Sequence, residues 1–168
     1  MDFVPKYMAL YVKNLFKNLG IFSHIETEAR HEIMLEEYVK KVQIEARLMG
    51  YLASNTILPA SIQYQNTLID NVKGLKEIGL KPASYKAQID IIEEISTHIN
   101  GVSGLVEQMI DERKKANNLD DMHARAVAYC DQVKPYFEKI RYHADKLELI
   151  VDDRLWSLPK YREMLFLR

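Results

Sequence analysis

Two short segments have the spacing of metal ligands on helices. Glu28-Ala-Arg-His31 places a carboxylate and an imidazole three residues apart, and Asp120-Asp-Met-His123 does the same with aspartate in place of glutamate. Di-iron helical bundles use Glu-x-x-His on two helices together with inward glutamates from two others. Both segments lie near predicted helix starts, where acidic residues also stabilise the helix dipole. We therefore expect solvated helix starts here and predict no metal ligand in this chain.

Cys130 and His143 are the residue types of a thiol nucleophile and its base. They are 13 residues apart in one predicted helix, which is about 20 Å along the helix axis. This is too far for a catalytic pair, and Cys130 is expected to be a small buried hydrophobe. No segment follows a phosphate-loop pattern, and the cluster Arg113-Lys114-Lys115 is expected to complement a helix C-terminus. We predict no catalytic and no cofactor-binding residue.

The composition is ordinary for a soluble globular protein. The chain has 168 residues, 48% of them hydrophobic and 28% charged, with 23 basic and 24 acidic side chains. The net charge of -1 argues against a nucleic-acid partner. The single cysteine excludes an internal disulfide and fits a reducing compartment. No apolar run is long enough to span a membrane, and the first residues lack a secretory signal pattern, so we expect a cytoplasmic protein.

An unusually apolar helix is predicted over residues 4–19, with Gly20 as its end. Eleven of the 17 residues from Phe3 to Leu19 are apolar, and they occupy more than one face. Such a helix needs cover on most sides, and we expect another chain or a further segment to supply part of it. Ser23 and Glu26 have the spacing of a capping box that opens the second helix.

Three heptad seams predict long helices that pack on other helices. The first seam is Leu35, Val39, Val42, Ala46, Met49 and Ala53. The second, in a helix from about residue 84 to 117, is Ile92, Ile95, Ile99, Val102, Val106 and Met109. The third, which passes Pro135 and follows Asp120 as the expected N-cap, is Ala126, Cys130, Val133, Phe137, Ile140, Ala144, Leu147 and Val151. The sequence therefore predicts an all-α antiparallel array of four to five helices.

Pro59 breaks or kinks the helix that carries the first seam. The residues 25–57 and 59–78 form either one kinked rod or two helices, and the sequence leaves this open. Apolar side chains expected inside the second part are Ile62, Leu68, Ile69, Val72 and Leu75. Gly79 and Pro82 end this part. Beyond the last long helix, Trp156 is expected to fold back on the bundle, and Pro159 to start a short final helix.

Several polar or flexible positions have structural explanations. Gly101 and Gly104 either permit a close helix approach or only weaken the helix. The segment Tyr64-Gln65-Asn66 is a hydrogen-bond network or an interface, and the network is preferred. Tyr129, Tyr136 and His143 are expected to have buried rings and wet polar tips. A stripe of carboxylates is expected to be solvated and ion-paired: Asp131, Glu138, Asp145 and Asp152.

Residues 31–79 and 126–168 contain the idiosyncratic stretches EEYVKKVQIEAR, YQNTLIDNVKGLKE and VKPYFEKIRYHADKLE. They resemble the C-terminal region of type III glutamine synthetases, the large bacterial form, over about residues 28–168. The resemblance implies a parent enzyme that makes glutamine from glutamate, ammonia and ATP through γ-glutamyl phosphate, with Mg²⁺ or Mn²⁺, in stacked hexameric rings. The catalytic residues of that family lie in preceding domains, so none is carried over to this chain.

The resemblance implies that residues 1–22 join a catalytic region and that residues 23–168 are a helical C-terminal domain. The expected role is structural and in assembly, with the rest of the subunit as partner, and without activity in the isolated chain. Two other classes stay open at this point. One is a free-standing metal-binding bundle enzyme, which requires two Glu-x-x-His segments that meet in the core. The other is an adaptor that uses its heptad seams.

Overall fold

The computed structural model describes residues 10–165, in which all regular structure is helical. The α-helices are α1 (Leu10–Asn18), α2 (His24–Leu52), α3 (Leu58–Glu77), α4 (Lys86–Asn117), α5 (Met122–Ala128), α6 (Pro135–Ile150) and α7 (Tyr161–Met164). Two π-helical turns, Ala53–Ile57 and Tyr129–Val133, and a 3-10 turn, Pro82–Tyr85, complete the set. The prediction of an all-α fold of four to five principal helices is confirmed. No described helix is long and apolar enough to cross a membrane.

The helices form two compact units. The first contains the described residues through Ala46 together with Asp111–Pro135, and the second contains Arg47–Ile110 and the residues from Tyr136 onward. The core of the first unit includes Leu35, Val39, Val42, Ala126, Tyr129 and Val133. The core of the second includes Ile95, Val102, Val106, Met109, Ile140, Leu147 and Trp156. The division into residues 1–22 and 23–168 concerns roles in a longer protein and stays a prediction.

The heptad seams are largely buried, as predicted. Nine seam residues complete the set beyond those just named: Ala46, Ala53 and Val151 are buried, and Met49, Ile92, Ile99, Cys130, Phe137 and Ala144 are half-buried. The prediction for α3 was wrong at Ile62, which is 45% exposed, while its neighbours Ala60 and Ser61 are buried. The extra residue of the preceding π turn shifts which side chains of α3 face the core.

Pro59 neither breaks nor sharply ends the helical path. The backbone is right-handed helical at Leu52, Ile57 and Leu58, and the N–H of Leu58 donates to the carbonyl of Ala53, five residues earlier. A proline has no N–H and its ring crowds the carbonyl four residues before it, and the wider π turn relieves this conflict. The question left open by the sequence is therefore resolved as one continuous helical path with a π turn.

Pro135 is accommodated in the same way. It follows the π turn Tyr129–Val133, in which the N–H of Lys134 donates to the carbonyl of Tyr129 at 3.0 Å. Lys134 itself is right-handed helical. The prediction that the helix continues past Pro135 is confirmed, and the predicted kink takes the form of a π turn.

Side-chain caps begin two of the helices. Ser23 and Glu26 form the predicted capping box: the N–H of Ser23 donates to Glu26 Oε2 at 2.8 Å, and the N–H of Glu26 donates to Ser23 Oγ at 3.2 Å. The predicted N-cap Asp120 was wrong by one residue. Asp121 has the extended backbone of an N-cap, and its Oδ2 accepts from the N–H of Ala124 at 2.7 Å. Asp121 lies three residues before Ala124, which is the spacing of an N-cap contact, whereas Asp120 lies four residues before it.

The C-terminal segment folds back as predicted. Trp156 is buried, and Lys160 Nζ donates to the carbonyl of Glu148 at 2.8 Å and pairs with Asp153 Oδ1 at 2.5 Å. Lys160 thereby caps the last carbonyls of α6 with a positive charge. The final helix begins at Tyr161, two residues after Pro159.

Candidate functional site

A pair of histidines joins two helices inside the second unit. His98 on α4 and His143 on α6 have their Nδ1 atoms 2.8 Å apart, and His98 is only 8% exposed. The ring centroids are 5.1 Å apart, which exceeds the nitrogen separation by about two ring radii. The two Nδ1 atoms therefore lie close to the line that joins the rings. This is hydrogen-bond geometry, in which one Nδ1–H donates and the other Nδ1 accepts.

Gly101 provides the space for this pair. A Cβ atom at residue 101 would lie 2.7 Å from Cε1 of His143 and 2.8 Å from each of its ring nitrogens. The prediction of a close helix approach is thus confirmed at Gly101. At Gly104 a Cβ atom would meet nothing within 4 Å, so this glycine makes no close approach and only lowers the helix propensity of α4.

Charged groups surround the histidine pair on both helices. His98 Nε2 is 4.0 Å from Oε1 of Glu94. Burial lowers the pKa of His98, the charges of His143 and Lys146 lower it further, and Glu94 acts in the opposite direction. Tyr142 packs edge-on against both imidazoles.

An open groove of about 420 Å³ adjoins the His143 ring. It is lined by Leu105, Glu138, Lys139, Tyr142 and His143. His143 was predicted to lie at the border of the seam with a wet polar tip, whereas no role was predicted for His98. A signal was present, because His98 lies three residues after Ile95 and four before Val102, on the buried face of α4.

The two segments with metal-ligand spacing lie in the first unit. His31 is buried, so the expectation of a solvated side chain was wrong for this residue. Burial lowers the pKa of His31, and the charge of His123 acts in the same direction. Glu28 is engaged in an ion pair with Lys13 at 2.7 Å. Among the described residues, no group of three or more His, Cys, Asp or Glu side chains is arranged to hold a metal ion.

Cys130 is a free, half-buried cysteine in the first unit. Its neighbour is Tyr38, whose buried hydroxyl makes no well-formed hydrogen bond within residues 10–165. Burial raises the pKa of Tyr38, and the adjacent thiol raises it further. The Tyr38 hydroxyl is therefore held in its protonated form.

Polar side chains link helices within each unit. In the second unit, Gln65 Nε2 donates to the carbonyl of Ile92 at 3.1 Å and to Ser96 Oγ at 2.5 Å. This confirms the predicted hydrogen-bond network around Gln65. In the first unit, Asn117 Oδ1 accepts from the Tyr129 hydroxyl at 2.6 Å and from Gln43 Nε2 at 3.1 Å.

Tyr129 corrects a sequence-based expectation. Its side chain is fully buried and its hydroxyl bonds to protein, so the prediction of a wet polar tip was wrong. The π turn that starts at Tyr129 turns this ring inward from the border of the seam.

The charged clusters form local ion pairs. Lys114 pairs with Asp111 at 3.2 Å and Lys115 with Glu112 at 2.7 Å. In the carboxylate stripe, Asp131 and Glu138 are exposed, Asp145 pairs with Arg141 at 3.6 Å, and Asp152 with Arg154 at 2.9 Å. The hydrogen bonds from Arg154 lower the pKa of Asp152 to about 2. These contacts are those of solvated, ion-paired helix surfaces, as predicted.

The comparisons with known proteins point to one family. A family model described as the glutamine synthetase C-terminal domain matches residues 1–76. A glutamine synthetase of Bacteroides fragilis (strain YCH46) is 42% identical over 171 residues, which covers 97% of this chain. This chain corresponds to the C-terminal domain of glutamine synthetases. The resemblance inferred from residues 31–79 and 126–168 is therefore confirmed.

Two further relatives are similar over almost the whole domain. The type-3 glutamine synthetase of Dictyostelium discoideum is 31% identical over 157 residues, or 92% of this chain. A glutamine synthetase of Butyrivibrio fibrisolvens is 24% identical over 165 residues, or 98% of this chain. The alignments cover 23%, 21% and 23% of the three relatives. The chain thus spans less than a quarter of the length of the curated relatives it matches.

The α1 segment, residues 10–22, which includes α1 and the turn after it, exposes apolar side chains. None of the described side chains at residues 12–18 is buried, and Leu15, Leu19 and Ile21 are exposed. Residues 4–9, the first part of the predicted apolar helix, lie outside the described residues. The exposed apolar side chains agree with the expectation that α1 needs cover from elsewhere.

Proposed function

We propose that this chain is the helical C-terminal region of a type III glutamine synthetase, with a structural and assembly role. The observation that carries the proposal is the alignment of almost the whole chain with less than a quarter of its relatives, one of which is named a type-3 enzyme. The parent protein would condense glutamate and ammonia at the expense of ATP, with Mg²⁺ or Mn²⁺, in the cytoplasm. The chemistry would reside in other domains of that parent.

The organisation of the polar groups supports a structural role. The interhelical hydrogen bonds of Gln65 and Asn117 link helices to one another, and the surface charges are paired locally. Among residues 10–165, no group of three or more His, Cys, Asp or Glu side chains is arranged to hold a metal ion. We expect the isolated chain to be inactive, because it aligns with less than a quarter of the length of its relatives.

The exposed apolar side chains of the α1 segment support a contact with the remainder of the enzyme. Residues 1–22 would join the catalytic region, and Leu15, Leu19 and Ile21 would be covered in the complete subunit or in stacked hexameric rings. Covering these side chains would remove apolar surface from water, which favours association.

The first test is enzymatic. The purified 168-residue chain is assayed for γ-glutamyl transfer with ATP and Mg²⁺ or Mn²⁺, with a complete glutamine synthetase as positive control. We expect no turnover above background. Turnover by the chain alone would contradict the assignment of the chemistry to other domains.

The second test addresses assembly in a complete subunit that carries this region. Leu19→Lys and Ile21→Lys place charges on the exposed apolar side of the α1 segment, and Asn18→Lys at an exposed polar position is the matched control. We expect the first two variants to shift the particle to smaller assemblies in light scattering, with the control unchanged. Equal behaviour of all three variants would remove α1 from the interface.

A further inference from the structure

We propose that His98 and His143 form a pH-sensitive contact between α4 and α6, which is closed while the two rings share one Nδ1 proton and opens when both Nδ1 atoms are protonated. The proposal concerns only the second unit and is independent of the enzyme to which the domain belongs. It rests on the geometry of the two rings, on the space at Gly101 and on the charges around the pair.

The ring geometry requires one proton between the two nitrogens. With Nδ1 atoms 2.8 Å apart and nearly on the line of centroids, each ring directs its Nδ1 straight at the other. A neutral imidazole carries its proton on either nitrogen, so one ring must be the Nδ1–H donor and the other must have its proton on Nε2. In acid, when both rings are imidazolium ions, both Nδ1 atoms carry protons. Two donors and two positive charges then face each other, and the contact is lost.

The same geometry argues against a metal ion as the shared partner. Two imidazoles that bind one ion direct their nitrogens at a common point about 2.0 Å from each. Neighbouring ligands in a tetrahedral or square site then converge at an angle, whereas His98 and His143 point at one another. The atom between them is therefore a proton.

The surrounding structure holds the rings in this arrangement. The His143 ring lies against Gly101 and occupies the space that the Cβ atom of any larger residue at position 101 would need. Tyr142 packs edge-on against both rings, with centroids 6.2 Å from His98 and 5.2 Å from His143. The rings cannot turn away without leaving this packing, so protonation state and helix contact are coupled.

The charged groups around the pair determine the direction of the response. On α4, Glu94 faces Nε2 of His98 and stabilises a first positive charge. On α6, Lys146 opposes positive charge, while Glu138, Lys139 and Tyr142 line the groove beside His143. Burial of His98 adds a further penalty for the charged form. Acid therefore weakens the contact, and neutral pH favours it.

The tautomers provide a direct test by long-range ¹⁵N–¹H NMR of the full chain near neutral pH, with His98→Gln and His143→Gln to assign the signals. We expect one ring of the pair as the Nδ1–H tautomer and the other as the Nε2–H tautomer. We also expect His98 to take up a proton at lower pH than the imidazoles of the same chain unfolded in urea. The same tautomer in both rings would overturn the proposal.

The helix contact provides a second test, by urea unfolding between pH 8 and pH 5. The wild-type chain should lose more stability on acidification than His143→Gln, while the matched control His24→Gln should lose as much as the wild type. Equal acid losses in all three proteins would overturn the proposal.

A third test uses the same NMR signals of His98 and His143. Addition of Ni²⁺ should leave both histidine signals unchanged, and selective broadening of these two signals would instead assign the pair to a metal.

Discussion

Gly101 and His143 are in direct contact across α4 and α6, because a Cβ atom at residue 101 would lie 2.7 Å from Cε1 of the imidazole. Real Cβ atoms do not approach another heavy atom this closely. A glycine in the middle of a 32-residue helix is unfavourable by about 1 kcal/mol relative to alanine. The close approach at Gly101 gives this otherwise unfavourable residue a structural reason.

Gly101→Ala is expected to destabilise the protein, although alanine is the better helix former. Overpacking of a close contact costs roughly 1–3 kcal/mol, which outweighs the gain in helix propensity. Gly104→Ala, three residues along the same helix and free of neighbours within 4 Å, should instead stabilise by about 0.5–1 kcal/mol. Urea unfolding at neutral pH gives both values. If both substitutions increased the free energy of unfolding, the His143 ring would have moved aside without an energetic penalty, and the close contact would not matter for stability.

Leu147→Ala is expected to cost about 2–5 kcal/mol, because it removes a fully buried side chain from the core of the second unit. Leu149→Ala is the matched control, since the same substitution two residues later affects a side chain that is 80% exposed. It should change stability by less than about 0.5 kcal/mol. Thermal and urea unfolding of the two variants measure the difference. A large effect at Leu149 in the isolated chain would place it in an interface that this structure does not contain.

Tyr129→Phe tests the hydrogen bond between two helices of the first unit. The hydroxyl of Tyr129 is buried and donates to Asn117 Oδ1 at 2.6 Å, so its removal should cost about 0.5–1.5 kcal/mol. Asn117 keeps a second donor, Gln43, which limits the loss. Tyr142→Phe is the control, because this ring is 57% exposed. Unfolding free energies that rank the two variants in the reverse order would argue against the buried hydrogen bond.

The stability of the first unit should fall in mild acid because of His31. Burial and the charges of His123 and Lys13 lower the pKa of His31 in the folded chain. As the pH falls through about 6.5, the unfolded chain takes up this proton first, and folding becomes less favourable until the folded-state pKa is reached. Above pH 6.5 His31 is neutral in both the folded and the unfolded chain, and this loss of stability is absent. His31→Gln should therefore show a smaller loss between pH 7 and pH 5 in urea unfolding, and an unchanged loss would assign the acid sensitivity elsewhere.

The helical elements and most of the core followed from local patterns. Gly20 and Gly79, with positive φ of 64° and 81°, end helices where the sequence predicted ends. The capping box of Ser23 and Glu26 was readable because it depends on residues three apart. The exposure of Ile62 could not be predicted from the sequence. The π turn before it changes which side chains of α3 face the core, and it leaves no signal in the spacing of the apolar residues.

The sequence by itself determined the all-α class, the helix ends, the buried seams and the resemblance to glutamine synthetases. These depend on interactions between residues that are close along the chain, and on similarity that needs no coordinates. Only the tertiary structure decided that His98 meets His143, that Gly101 rather than Gly104 gives them room, and that Tyr129 bonds to Asn117. The physical reason is that a contact between helices depends on the rotation and separation of both. A single turn with one extra residue changes that rotation, and so changes which polar groups meet.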